Sequence, residues 1–143
     1  MKRIDRLLES KGREIFHVSP DASVYEAIEV LANRGIGALL VMEGDRLVGL
    51  LSERDYARKV ILQGRSSRET LVKDIMTREV RCIPPTTRLE EAMALMTEKR
   101  VRHLPVVDEG KVIGVISIGD VVKEVISEQE FHIQQLEKYI TSG

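Results

Sequence analysis

Only one of the 143 residues, Cys82, is a cysteine, there is no tryptophan, and aromatic residues make up 3%. A single thiol closes no intramolecular disulfide and builds no cysteine-based zinc cluster, and it is compatible with a reducing compartment. So few rings leave no stacking platform for single-stranded nucleic acid. The formal net charge of -1 lacks the positive excess of a general phosphate-backbone binder. No run approaches the ~18 apolar residues that span a bilayer. The opening Met-Lys-Arg-Ile-Asp-Arg is charged and lacks the apolar stretch of a signal peptide. A soluble, cytoplasmic protein that engages neither membrane nor nucleic acid is expected.

Catalytic chemistry is equally thin. The three histidines are His17, His103 and His132, and neither a phosphate-cradling glycine loop nor metal-ligand spacing is present. The reading is of a non-enzyme that requires no cofactor and no metal. What the chain does have is 43% hydrophobic and 31% charged residues. That is enough for one ordinary domain or two small half-domains sharing a core.

It also repeats itself. Gly49-Leu-Leu-Ser52-Glu-Arg-Asp55 returns 65 residues later as Gly114-Val-Ile-Ser117-Ile-Gly-Asp120. In the same frame Val18 matches Ile83, Pro20 matches Pro85, Glu26-Ala27 match Glu91-Ala92, and Leu39 and Val41 match Leu104 and Val106. Such register marks an internal duplication. Each Gly-x-x-Ser-x-x-Asp reads as a strand-to-helix junction. The serine can cap the helix, and the aspartate sits in the first turn, where the helix dipole favours negative charge. Beyond capping, an ionised aspartate at an open strand end can accept two ribose hydroxyls, and the neighbouring helix N-terminus can receive a phosphate.

In chain order, residues 1–10 predict a short amphipathic helix carrying Ile4, Leu7 and Leu8, and Ile15–Val18 a short strand. A helix capped at Asp21 or Ser23, with Glu26 completing a box, runs to Gly35. Strands Ala38–Met42 and Leu47–Leu51 follow, apolar enough for burial on both faces, then a helix Glu53–Leu62 and a polar connection Gln63–Thr70. Lys73-Asp-Ile-Met-Thr77 opens the second copy. Residues 121–140 form a longer helix with Val122, Val125, Ile126, Ile133, Leu136 and Ile140 at helical spacing, either packed within the chain or associating with a second one. The expected fold is α/β: a β-α-β-β-α unit, duplicated and packed about a pseudo-twofold axis, with a C-terminal helical extension. Residues 1–70 carry an N-terminal extension and the first repeat, and 71–143 the second repeat and the C-terminal helix.

The doubled order of Asp-Ile-Met-Thr, Pro, Glu-Ala, a Leu-Pro-Val-Val-Asp strand and Gly-x-x-Ser-x-x-Asp resembles the CBS domain pair (cystathionine-β-synthase domain, or Bateman module), from about residue 12 to 128. The resemblance is greatest to stand-alone bacterial members. It implies a regulatory module binding adenosine-containing ligands (AMP, ADP, ATP, NAD or S-adenosylmethionine) in clefts between repeats. It also implies a homodimer packed through helical faces, and a regulated protein partner. Carried over, ribose binding falls to Ser52 with Asp55 and to Ser117 with Asp120. Base contacts lie near Val18 and Ile83, with Met76 and Thr77 at the cleft edge. Arg102-His103 occupy a position that contacts phosphate in some members. The copies are unequal here: Arg102-His103 stand where the first repeat has Gly37-Ala38, and Arg54 stands where the second has Gly119. Two sites of different strength are therefore expected.

Overall fold

The computed structural model describes residues 2–142, so Met1 and Gly143, at the outer ends of the two expected stretches, lie outside the described residues. Helix α1 (Ile4–Lys11) is followed by strand β1 (His17–Val18), helix α2 (Val24–Arg34) and the hairpin β2 (Ala38–Glu43) and β3 (Arg46–Ser52). Next come the short helix α3 (Glu53–Tyr56), a π-helical turn (Ala57–Ile61) and the one-turn helix α4 (Val72–Ile75). Helix α5 (Leu89–Lys99), the hairpin β4 (His103–Asp108) and β5 (Lys111–Ser117), and helix α6 (Ile118–Ser142) complete the chain.

Two compact units result, and neither is a single run of sequence. One gathers residues 14–81 with 109–112; the other gathers 2–13, 82–108 and 113–142. In the first, β1 lies parallel to β2 and β2 antiparallel to β3, with Val18 opposite Val41 and Ala38 opposite Ser52. Leu39, Leu40 and Val41 are buried in succession, so β2 is covered on both faces. One face receives Val24, Ala27 and Leu31 of α2, spaced for one side of a helix, together with Leu51 and Val60. The helix that the sequence predicts over 53–62 changes pitch at Ala57. The wider turn keeps Val60 in the core and leaves Ile61 and Leu62 exposed.

The other unit repeats this plan. Strands β4 and β5 pair, and Ile83 makes a single parallel bridge to Val106 where β1 would stand. Leu89, Ala92 and Met96 of α5 pack with Leu104, Val106, Ile116 and Val121. Helix ends differ in chemistry. Ser23 Oγ accepts the Glu26 N–H at 3.1 Å, whereas in α5 the Glu91 carboxylate accepts the Arg88 N–H at 3.1 Å. Gly35 closes α2 at φ 63°, and Arg100 closes α5 at φ 54°, a left-handed conformation that costs a residue with a Cβ.

Each core is closed by a segment from outside its own repeat. Ile4, Leu7 and Leu8 of α1 belong to the core of Leu89 and Leu104, while Val72, Ile75 and Met76 belong to that of Val24 and Leu39. The docking is the same bond for bond. Val24 N–H donates to the Thr70 carbonyl at 2.8 Å and Leu89 N–H to that of Lys2 at 2.9 Å. Val72 N–H donates to Ala22 at 2.9 Å and Ile4 N–H to Thr87 at 2.8 Å. Lys73-Asp-Ile-Met-Thr77, read from sequence as the opening of the second copy, thus packs with the first.

Candidate functional site

Each Ser-x-x-Asp junction sits where the last strand of a unit turns into a helix. At the first, Asp55 N–H donates to Ser52 Oγ at 3.1 Å, and Asp55 Oδ2 accepts from the Ser52 N–H and hydroxyl, both at 3.0 Å. This is a closed capping box. The other carboxylate oxygen, Oδ1, meets Lys59 Nζ at 3.2 Å and the Thr77 hydroxyl at 3.4 Å. Lys59 also donates to the Ile75 carbonyl at 2.9 Å, fixing its position.

At the second junction Asp120 N–H donates to Ser117 Oγ at 3.2 Å and Asp120 Oδ2 accepts the Ser117 N–H at 2.8 Å. Lys11, the last residue of α1, places Nζ 2.6 Å from the same Oδ2 and also donates to the Val115 carbonyl. Burial pushes the Asp120 pKa upward, but the Lys11 ammonium and the Ser117 donors outweigh it and hold the carboxyl below its ordinary range. His103, the first residue of β4, is half-buried in the same cluster. Burial comes first and the charges of Lys11 and Arg102 add to it, so that against the pull of Asp120 they lower its pKa and favour the neutral ring.

Backbone close approach builds both junctions. A Cβ on Gly49 would lie 2.5 Å from Met76 Sδ and 3.1 Å from the Thr77 carbonyl oxygen, and one on Gly114 2.8 Å from Leu8 Cδ2. The glycines let the docking segment lie across the strand. Thr77 then pairs with Leu50 in both directions, N–H to O at 2.8 and 2.9 Å.

The structure thus brings together Ser52, Asp55, Met76 and Thr77 in one unit, and Ser117, Asp120, His103 and Arg102 in the other. Arg54 is exposed in the first turn of α3, and Arg102 is exposed just before β4. The Arg102 carbonyl accepts the Ile118 N–H at 2.8 Å, the counterpart of the Gly37 carbonyl on Glu53 N–H at 3.1 Å. Val18, Met76 and Ile83 turn their side chains into the cores, at 9, 7 and 5% exposure. Ile83 spends its main chain on Pro105 and Val107. Sequence reasoning missed Lys11 and Lys59, the counter-ions of the two aspartates. Lys59 was detectable as an i,i+4 partner of Asp55; Lys11 had no local signal, since its partner is more than a hundred residues away. No group of His, Cys, Asp and Glu among the described residues could hold a metal ion. No described helix is long and apolar enough to cross a membrane.

A duplicated β-α-β-β-α unit, each copy carrying a Ser-x-x-Asp cap where its last strand turns into a helix, defines a tandem-repeat module rather than a single-site fold. The chain belongs to the CBS domain family, which it matches over residues 12–61 and again over 72–127. It is 42% identical to the mitochondrial CBS domain-containing protein CBSX3 of Arabidopsis thaliana, over 98% of this chain and 72% of that protein. A CBS-domain structure from Burkholderia ambifaria MC40-6 superposes with a TM-score of 0.86 at 53% identity, covering 90% of this chain and 96% of the other. The CBS domain pair of protein MJ0100, solved in complex with 5'-methylthioadenosine and S-adenosyl-L-methionine, shares the fold with a TM-score of 0.80 at 21% identity, over 90 and 98% of the two chains.

Proposed function

We propose that the chain is a regulatory module that binds an adenosine-containing ligand at its Ser-x-x-Asp junctions, Asp55 and Asp120 accepting ribose hydroxyls. The observation that carries this reading is that both carboxylates are fixed at the end of a strand by a cap and a lysine, so that an anionic acceptor is already oriented. The family membership and the ligands of the MJ0100 pair support the class of ligand. The base lies against the strands of Val18 and Ile83, and Arg54 and Arg102, exposed at their respective junctions, meet phosphate. Binding is read by a regulated partner, and no reaction is catalysed.

An AMP-sized ligand of about 23 heavy atoms at ~0.3 kcal/mol per atom gives a dissociation constant on the order of ten micromolar. The test is a thermal-shift and calorimetric panel of AMP, ADP, ATP, NAD and S-adenosylmethionine on the wild type and on Asp55→Asn and Asp120→Asn. Binding of at least one compound, weakened in at least one variant, supports the reading. Equal binding in both variants would leave the aspartates as helix caps alone. A second reading, an association module with idle pockets, is favoured by the exposed apolar side chains of α6 and wins if no compound of the panel binds.

A further inference from the structure

Helix α6 is longer than its own core requires. Val121 is buried and Glu124, Val125 and Glu128 are partly covered, but every residue of 129–141 is exposed. Thirteen residues of helix with none buried are marginal in water, because a helix of that length gains too little on its own to hold itself. Most of the exposed apolar side chains on this helix fall in one row, outside which lie Ile118, Phe131 and Tyr139. Ile126, Ile133 and Ile140 recur every seven residues, and Val122, Gln129 and Leu136 recur every seven residues in between. With the isoleucines at a, the second set falls at d, and the side chains of Val122, Ile126, Ile133, Leu136 and Ile140 are 47, 50, 54, 62 and 75% exposed. This row lies on the side away from α1, since Glu124, which binds Lys2 at 2.7 Å, and Glu128, which accepts the Lys2 N–H at 3.2 Å, occupy the opposite face.

We propose that this a/d row of α6 is a parallel, two-stranded coiled-coil interface with a second copy of the chain. The occupant follows from the residues. β-Branched isoleucine at a, at Ile126, Ile133 and Ile140, favours two parallel strands when leucine stands at d, as Leu136 does between the last two of them. Gln129 is the one polar residue in the row. In a parallel, in-register pair it meets its own counterpart, and the two side-chain amides can bond to each other. In an antiparallel pair, or against an unrelated apolar groove, the amide would be buried opposite carbon, at the cost of an unmade hydrogen bond. His132 at g and Glu137 at e' face each other in the same parallel register, where an imidazole N–H can donate to the carboxylate.

Sedimentation of the full chain over a concentration series tests this. Ile133→Lys combined with Ile140→Lys places charges in the seam and should abolish one step of association, while the fold stays intact by circular dichroism, because both residues lie outside the two cores. Gln129→Leu should tighten that same step about tenfold. In a Cys82→Ser background, Leu136→Cys should cross-link to dimer under mild oxidation, since d positions of a parallel pair face each other. An unchanged mass distribution in the double-lysine variant would overturn the proposal and assign the row to a different occupant or to none. Failure of the cysteine variant to cross-link would overturn the parallel register. Neither outcome depends on nucleotide binding, which is measured separately.

Discussion

The two junctions carry the same cap but different counter-ions. Asp55 is held by Lys59, four residues on in the π-helical turn that follows, and by Thr77 from the docking segment. Asp120 is held by Lys11, which arrives on α1 from the far end of the chain. At the position of Lys59 the second copy has Glu124, which binds Lys2 instead. The aspartate is paired with a lysine in both units, once a local residue and once a tertiary one. A duplicated site can thus drift in every supporting residue while the oriented carboxylate stays. The surroundings have drifted too: the second junction gathers Lys11, Arg102 and His103, whereas the first has Gly37 and Ala38 at the matching places and places its extra arginine, Arg54, on the helix.

The strongest way to break the comparison is to undo the docking that brings Lys11 to Asp120. Leu8 is fully buried against Gly114, and Leu8→Ala should cost about 2–5 kcal/mol of stability by leaving a cavity, measured by denaturant unfolding. Loss below 1 kcal/mol would mean that α1 is dispensable to its unit. Next in size is the phosphate contrast. Charge-assisted bonds from a guanidinium contribute roughly 1.5–3 kcal/mol. Arg102→Ala or Arg54→Ala should therefore weaken AMP about ten- to a hundredfold and leave adenosine nearly unchanged. Calorimetry showing two equal sites, or equal losses for AMP and adenosine, would make both arginines surface residues.

A gain of function in the fold comes third. Arg100 occupies the left-handed position that Gly35 fills in the first unit. Arg100→Gly should stabilise the chain by about 1 kcal/mol, and a drop in stability would show that the arginine side chain compensates for its backbone.

The smallest effect is the acid dependence of the Lys11–Asp120 pair, whose side chains are 34 and 24% exposed, worth under ~1 kcal/mol after solvent screening. The folded-state pKa of Asp120 is depressed, so its contribution is present above the ordinary carboxylate value and disappears as pH falls through the lower folded value. The His103 pKa is also depressed. Keeping it neutral stabilises nothing extra above the ordinary imidazole range, and it becomes a growing penalty as pH falls below that range. Lys11→Met removes the partner of one and a repulsive neighbour of the other. Its deficit at pH 7 should shrink toward pH 3 in pH-resolved unfolding, and a deficit independent of pH would mean that Lys11 acts through packing alone.

The repeat was legible because its markers are local. Ser52 and Asp55 cap within four residues, as do Ser117 and Asp120, and the β2–β3 and β4–β5 hairpins carry their turns in sequence. The docking was not legible, for a countable reason. Ile4, Leu7 and Leu8 stand 68 residues before their counterparts Val72, Ile75 and Met76, not 65 as the rest of the repeat does. The frame that aligns the strands therefore misaligns the segments that close the cores. The π-helical turn at Ala57–Ile61 escaped for a similar reason. Its apolar residues keep ordinary helical spacing, and only the need to bury Val60 against the sheet selects the wider pitch.

The closure of each core by a distant segment fixes an order of events during synthesis. Glu14–Arg81 runs without interruption and carries α4 after β3 in the same stretch, so that of this unit only Glu109–Val112 is made later. The unit built on that stretch has its α2, β2, β3 and closing helix available as soon as they leave the ribosome. Helix α1 must wait. Its Ile4, Leu7 and Leu8 have no core to enter until Leu89, Leu104 and Ile116 have been made, about a hundred residues later, which at ~5–20 residues per second is several seconds or more. For that interval Ile4, Leu7 and Leu8 have no apolar surface of their own unit to cover them, and α1 becomes a stable helix only when that core is made.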